Sequence, residues 1–333
     1  ISTNLELFDG GRRWYNLKSA QANVDAADAS DISQRYNVAL QVKQQYFAVL
    51  AARESESAAR RQLEQATEQL NSSTAKVRAG AATKSDSLRS AIQVGNARLA
   101  MLTSQNNLRV ANAALSRLVG AVDVVTASPA DTAEMGRIVL DSASLTALTM
   151  EGPSVRQAEA ALVAARAAKK AAKTPYMPTI TSSYSLSGNN TSDNFDFGSG
   201  RIPKQTSMRL SLNYPLFNNF SREENVTRTT VAEDNAVAAL RDAKLAQQQS
   251  LVQFLGAFRT AEQRVAIQLA TVDAAEEDLR VQQQRYALGA SVLLDLLTSQ
   301  TTLDQARSAL IQARYDARIA KAQVEALVGR DLN

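Results

Sequence analysis

The sequence predicts a mainly α protein with a few β-strands, in which long α-helical hairpins join strands of membrane-spanning length and the whole plan is duplicated. Three observations predict it. Shifted by 209 positions, the chain lies over itself without a gap: Leu7-Phe8 falls on Leu216-Phe217, Gly80-Ala81 on Gly289-Ala290, Asp86 on Asp295, and Leu118-Val119-Gly120 on Leu327-Val328-Gly329. A period this long exceeds the roughly 20–50 residues of a solenoid unit, so it reads as a duplicated half-protein. Aromatic residues make up 5% of the 333, with 13 Gly and 6 Pro, while Ala, Gln, Arg, Leu and Val fill long stretches. That is the composition of long helices packed through small side chains. Short segments with strict apolar/polar alternation supply the strands.

The first such segment is 1–8, where Ile1, Thr3, Leu5 and Leu7 alternate with Ser2, Asn4 and Glu6. Asp9-Gly10-Gly11 breaks it. No Pro or Gly interrupts the helical pattern from Arg12 to Arg78, a helix of about 100 Å at 1.5 Å per residue. Ala79-Gly80-Ala81 ends it, with Gly80 suited to the left-handed C-terminal position. Thr83 or Ser85 can cap a return helix that runs to Leu118 and stops at Gly120. Residues 121–152 read as irregular, rich in Ala, Thr, Ser and Asp, up to Gly152-Pro153. Pro153 is placed to start a helix over 154–173, which Thr174-Pro175 and Pro178 end. Ile180, Tyr184 and Leu186 then alternate with Thr179, Thr181, Ser183 and Ser185. A polar loop at 188–203 leads to a second strand at 204–216, where Leu210, Leu212, Tyr214 and Leu216 alternate with Arg209, Ser211 and Asn213. Asn218-Asn219 is the break in this copy. A helix follows to Ala287, Gly289 makes the hairpin, and the return helix ends at Leu327. The return helix and the 154–173 helix, stacked with 121–152 between them, match the length of one long helix, which makes 121–152 a waist.

Composition excludes several functions. The net charge of +4 is mild and the basic residues are interleaved with acids, so no nucleic-acid partner is expected. Cys and His are both absent, which removes thiol chemistry and the commonest metal ligand and general base. The helical carboxylates form no pair with a base, so no catalytic residue, metal or cofactor is expected. No apolar run reaches the ~18 residues of a spanning helix. The chain opens in mid-pattern at Ile1 with no visible signal peptide, as a trimmed or processed product does.

Each strand has the length of a tilted transmembrane strand and one face of each polarity. Half-buried hairpins in a soluble domain alternate likewise, but nothing else in the sequence supplies an apolar layer to cover them. Three or four strands cannot close a barrel, and open edges do not exist in lipid, so a membrane location requires several copies.

With these motifs in place the chain resembles the TolC family of outer-membrane efflux channels. Leu7-Phe8-Asp9-Gly10-Gly11-Arg12-Arg13 is similar to the family's "PLFDGG" turn, and Tyr214-Pro215-Leu216-Phe217-Asn218 is its second copy. Arg285-Tyr286-Ala287-Leu288-Gly289-Ala290-Ser291 with Asp295-Leu296-Leu297 resembles the family's hairpin tip, and Lys76-Val77-Arg78-Ala79-Gly80 with Asp86 is the first copy. Tyr176-Met177-Pro178-Thr179-Ile180 resembles the entry into a strand. Together these span essentially the whole chain.

The resemblance implies a TolC-like α/β-barrel protomer. Three copies form a twelve-stranded barrel in the outer membrane of a Gram-negative bacterium and a twelve-helix tunnel through the periplasm. The implied segments are a transmembrane strand at 1–8 and a periplasmic helical hairpin at 9–120. An equatorial segment at 121–152 and a short helix at 153–174 follow. A transmembrane hairpin at 175–217 with its extracellular loop at 188–203, a second helical hairpin at 218–329 and a tail at 330–333 complete the chain. The implied function is that of an exit duct, not an enzyme, in a tripartite drug or metal efflux pump or a type I secretion system. Its partners are outer-membrane lipid, a periplasmic adaptor and, through it, an inner-membrane pump.

The residues singled out are the hairpin tips Arg78, Ala79, Gly80, Ala81 and Ala287, Leu288, Gly289, Ala290 as adaptor-docking sites, against the alternative of plain turns. Asp86 and Asp295 are candidates for the periplasmic pore entrance, against stabilisation of a helix N-terminus by an acid. The strand–helix turns are Phe8, Asp9, Gly10, Gly11 and Phe217, Asn218, Asn219. Thr298 stands where some members carry a second acid one helical turn after Asp295, which puts an acidic constriction in doubt. The second half begins with a helix and a strand whose first-half counterparts are expected before residue 1, along with a signal sequence and any lipid-bearing Cys. The rival reading is a soluble periplasmic coiled-coil scaffold or adaptor-like protein. It needs a Gly-rich β-sandwich between its helical arms, for which 121–152 is short and Ala-rich, and it would purify without detergent.

Overall fold

A computed structural model describes residues 1–128, 142–188, 204–330 and 332. Most of the expected 188–203 loop, positions 129–141 of the expected irregular segment, and 331 and 333 of the tail lie outside the described residues.

The duplication appears as helices of matched length. Helix α1 (Arg12–Arg78) and α5 (Ser221–Ala287) have 67 residues each; α2 (Lys84–Val119) and α6 (Leu293–Val328) have 36 each. Every one of these boundaries repeats at the same spacing. So do the left-handed backbone positions: Gly80 and Gly289, Gly120 and Gly329, and the pair Gly10-Gly11 with Asn219-Phe220. The remaining elements are β1 (Ser2–Phe8), α3 (Ser142–Met150), α4 (Pro153–Ala172), β2 (Thr179–Gly188) and β3 (Lys204–Asn213). The chain divides into two compact units, Ile1–Ser33 with Pro153–Ala246, and Gln34–Gly152 with Gln247–Asn333.

The first unit holds an antiparallel sheet of order β1-β2-β3. Its register fixes the faces, because residues directly opposite in a ladder share one face and neighbours along a strand alternate. One face carries the rows Thr3–Tyr184–Met208, Leu5–Ser182–Leu210 and Phe8–Ile180–Leu212. The other carries Ser2–Ser185–Ser207, Asn4–Ser183–Arg209 and Glu6–Thr181–Ser211. The register shifts between Glu6 and Phe8, a bulge that turns Phe8 onto the apolar face. The helical part of this unit is tied by Lys169 Nζ to Glu233 (2.8 Å), Lys244 Nζ to Glu159 (3.2 Å) and Gln157 Nε2 to Ser30 Oγ (3.3 Å).

The strand expected to reach residue 216 ends at Asn213. Pro215 has no N–H to give a ladder, so Tyr214–Leu216 leave the sheet. The first copy carries Glu6 at the matching position, and there the strand continues to Phe8.

In the second unit the core is a set of small clusters between helices. Val49 and Leu50 of α1 pack with Leu115 of α2, Tyr315 of α6 and Ala127. Tyr315 donates its hydroxyl to Glu54 (2.8 Å), and burial followed by this bond pushes its pKa far up. Farther along, Val272 and Ala275 of α5 meet Leu303, Ala306 and Leu310 of α6. Buried alanines at 59, 66, 97, 313, 317 and 320 let helix surfaces approach closely.

The expectation that 121–152 is wholly irregular is corrected here: Ser142–Met150 is helix α3. Its Leu145 packs with Leu251 of α5 and Val324 and Val328 of α6. Thr149 is fully buried and returns its hydroxyl to Leu145 O at 2.7 Å. In the sequence the Ser and Thr content masked the Leu145/Leu148 spacing of one helical face. Residues 121–128 are held in place by Ser116 Oγ accepting from Val125 N (2.8 Å) and by Arg53 donating to Ala127 O (3.1 Å).

Candidate functional site

Both hairpin tips belong to the second unit and are closed by the same backbone device. Gly80 N–H bonds Val77 O and Ala81 N–H bonds Lys76 O; in the second copy Gly289 bonds Tyr286 O and Ala290 bonds Arg285 O. This pair of bonds needs a left-handed residue at the turn, and both glycines sit at φ +72°. A Cβ at either would meet nothing, so the backbone angle alone requires glycine. All eight expected tip residues are exposed, Leu288 at 85%.

The structure also brings the two tips together. Lys76 Nζ lies 4.1 Å from the centre of the Tyr286 ring. Burial and then the nearby Asp86 charge raise the Tyr286 pKa. Neither Lys76 nor Tyr286 stood among the expected site residues, although both lay inside the quoted tip motifs. What the sequence could not show is that the two copies face each other.

Asp86 and Asp295 occupy the same position in the first turn of their helices but do different work. Thr83 caps α2 and forms a reciprocal box with Asp86: Asp86 N–H donates to Thr83 Oγ1 (3.3 Å), and Asp86 Oδ2 accepts from Thr83 N–H (3.0 Å). The Thr83 hydroxyl and then its backbone N–H hold the Asp86 pKa below the ordinary value. At α6 the cap is Val292, which has no side-chain bond to give, and Asp295 is exposed. Thr298 returns its hydroxyl to Leu294 O (2.9 Å).

The strand–helix turns lie in the first unit. Asp9 is 7% exposed and accepts from Gly11 N–H (3.0 Å), Arg13 N–H (2.8 Å) and Arg13 Nε (3.0 Å). Gly10, at φ +70°, leaves no room for a Cβ, which would lie 2.7 Å from Met177 Cβ and 2.8 Å from Thr174 O. In the second copy Asn218 replaces Asp9, while Asn219 (φ 56°) and Phe220 (φ 61°) replace the two glycines. Arg13 donates to Glu6 O and Arg222 donates to Pro215 O, one contact made in both copies. In the sequence Arg13 stands only inside a motif, and neither Phe220 nor Arg222 stands out. Their signal was the repeat spacing itself.

The apolar face of the sheet is open. Leu5 is 57% exposed, Met208 79%, Leu210 68% and Leu212 69%. No helix among the described residues is long and apolar enough to cross a membrane, and no cluster there has the acidic groups to hold a metal.

Comparison with known proteins follows the same lines. Protein CyaE of Bordetella pertussis is 26% identical over 310 residues, covering 90% of this chain and 64% of that protein. The pyoverdine export outer membrane protein OpmQ of Pseudomonas aeruginosa is 25% identical over 339 aligned positions, covering 99% and 68%. The chain thus spans about two thirds of the length of these relatives. The Campylobacter jejuni CmeC outer membrane channel has the same fold, with a TM-score of 0.83 at 17% identity over 98% of this chain and 69% of that one. The model of the outer membrane efflux protein family matches residues 1–121 and 147–330. A duplicated helical hairpin, a sheet with one bare apolar face and a family match across both halves lead to one conclusion: the chain belongs to the outer membrane efflux protein family, whose place is the outer membrane of Gram-negative bacteria.

Proposed function

We propose that this chain forms part of the wall of an outer-membrane exit duct. The apolar face of β1-β2-β3 meets lipid, the Ser/Thr/Asn face meets a water-filled lumen, and copies of the chain close the barrel. The supporting observation is the sheet: a bare apolar face on one side, an unbroken hydrophilic face on the other and, among the described residues, no partner strand at the outer edge of β1 or of β3. In lipid those edges must be paired by further strands, which requires several copies. The trimer typical of its homologues is the assembly we assign.

The family is one of channels, not of enzymes. In this reading the chain performs no covalent chemistry and carries no cofactor; an inner-membrane pump supplies the energy through a periplasmic adaptor. The adaptor docks on the exposed tips 78–81 and 287–290, and Asp295 lines the periplasmic entrance. Asp86, at the matching position of the first tip, has its carboxylate committed to the α2 cap, so Asp295 is the freer of the two acids. OpmQ exports pyoverdine; export of small molecules is the corresponding activity here. The test is the mass of the full-length protein in detergent together with export in cells lacking their own channel. A trimer that restores export supports the reading, whereas a detergent-independent monomer overturns it in favour of the periplasmic scaffold.

A further inference from the structure

The hydrophilic face of the sheet is not electrically neutral in effect. Within the rows that make up this face it carries two charged side chains, Glu6 on β1 and Arg209 on β3. Glu6 is already engaged: Arg12 Nη2 lies 3.2 Å from its Oε1. Arg209 forms no ion pair and no side-chain hydrogen bond among the described residues, and it is exposed. Its row neighbours are Ser183 and Asn4, both uncharged. Two strand spacings across and two residues along place the Cα atoms of Glu6 and Arg209 about 12 Å apart. The acid is therefore remote as well as occupied. Arg209 also sits near the middle of the ten-residue β3, where the same side chain one residue earlier or later would face the apolar side.

We propose that Arg209 is a specificity-determining residue of the duct: with one copy from each protomer it forms a ring of fixed positive charge in the barrel lumen, and the cargo class it favours is small anionic solutes, carboxylates and their like. The proposal rests on the reading of the sheet as a barrel wall with its hydrophilic face inward. A guanidinium keeps its charge at every accessible pH, and its planar fork matches a carboxylate in two-point contact. Like-signed fixed charges around a lumen with low-dielectric walls raise the local concentration of counter-ions. Paired charges would cancel; among the described residues Arg209 has no carboxylate partner, which leaves its charge uncompensated there.

The test uses full-length protein in planar lipid bilayers, with chloride and potassium as the probe ions and the reversal potential under a KCl gradient as the readout. Wild type, Arg209→Lys, Arg209→Ser and Arg209→Glu are compared, with trimer level measured for each. Removing the charge in Arg209→Ser lowers the chloride-to-potassium permeability ratio by about two- to fivefold, a modest share of what field focusing can supply. Arg209→Glu lowers it further, and Arg209→Lys keeps the wild-type ratio. The difference shrinks as salt rises from 0.1 to 1 M, because the Debye length falls from about 10 to about 3 Å. Conducting pores with one permeability ratio in all four proteins overturn the proposal and leave the duct standing. A wild type that inserts as trimers and conducts no ions overturns the duct reading and this proposal with it.

Discussion

Placing an arginine on each face of β3 in turn gives a cost that the structure grades by position. Met208, Leu210 and Leu212 share the apolar face and are 79%, 68% and 69% exposed. Met208 lies at the middle of the strand, whereas Leu212 is next to its last residue. At 3.4 Å per residue and a tilt of about 45°, Leu212 sits about 10 Å from Met208 along the membrane normal. An Arg on the lipid face costs about 2–4 kcal/mol at the midplane and about 0–1 near the interfaces. Met208→Arg therefore costs about 2–4 kcal/mol per copy, Leu210→Arg less, and Leu212→Arg about 1 or below. A strand running to 216, as the sequence implied, would have moved the maximum toward Leu212. Ser207→Arg and Ser211→Arg, on the other face, cost little. The assay is guanidinium-dependent folding of the full-length protein into lipid vesicles, reading the midpoint at constant slope. Equal losses for Met208→Arg and Ser207→Arg, or a loss that does not fall from 208 to 212, would refute the alternation and the depth assignment together.

Gly289→Val places a β-branched residue at φ +72° with no steric contact; it leaves trimer level intact but impairs export, and Gly80→Val with it is worse than either alone, as an export assay with quantified trimer shows. Val292→Thr should give α6 the cap that Thr83 gives α2, adding about 1 kcal/mol to thermal stability; no change in melting would show that the second tip gains nothing from a cap. The folded Asp86 pKa is depressed, so its stabilising share is fully present above the unfolded value of about 3.9 and is lost as pH falls through the lower folded value. Asp86→Asn flattens that acid limb, and a limb identical to wild type contradicts the capping box. Phe220→Gly relieves a bulky residue at φ 61° and raises stability by about 1 kcal/mol unless the edge-to-face contact with Phe217, 5.4 Å between centroids, offsets it.

The repeat was the strongest signal in the sequence because it constrains lengths: two helices that must superpose cannot differ by a residue. Gly80 and Gly289 were legible for the same reason, the one helix-ending glycine appearing once in each copy. Less was legible where the two copies diverge. Asn219 is of a type that visits left-handed φ, but Phe220 also adopts the backbone of a glycine, which no local propensity forecasts, because bulky residues avoid left-handed φ. Helix α3 was missed because its stability comes from Leu145 packing against α5 and α6, a tertiary cause. The pairing of Lys76 with Tyr286 depends on which hairpins become neighbours, and spacing within one hairpin carries no information about that.

The central claim is that one face of the sheet meets lipid and the other water, and thiol labelling tests it most directly. The 333 residues contain no cysteine, so single-Cys variants at 207 through 212 are each read against the unsubstituted protein. In native outer membranes, a membrane-impermeant maleimide should modify the variants at 207, 209 and 211 and spare those at 208, 210 and 212, with all six reacting after denaturation. Labelling that is uniform along β3, or strongest at 208, 210 and 212, would contradict the account.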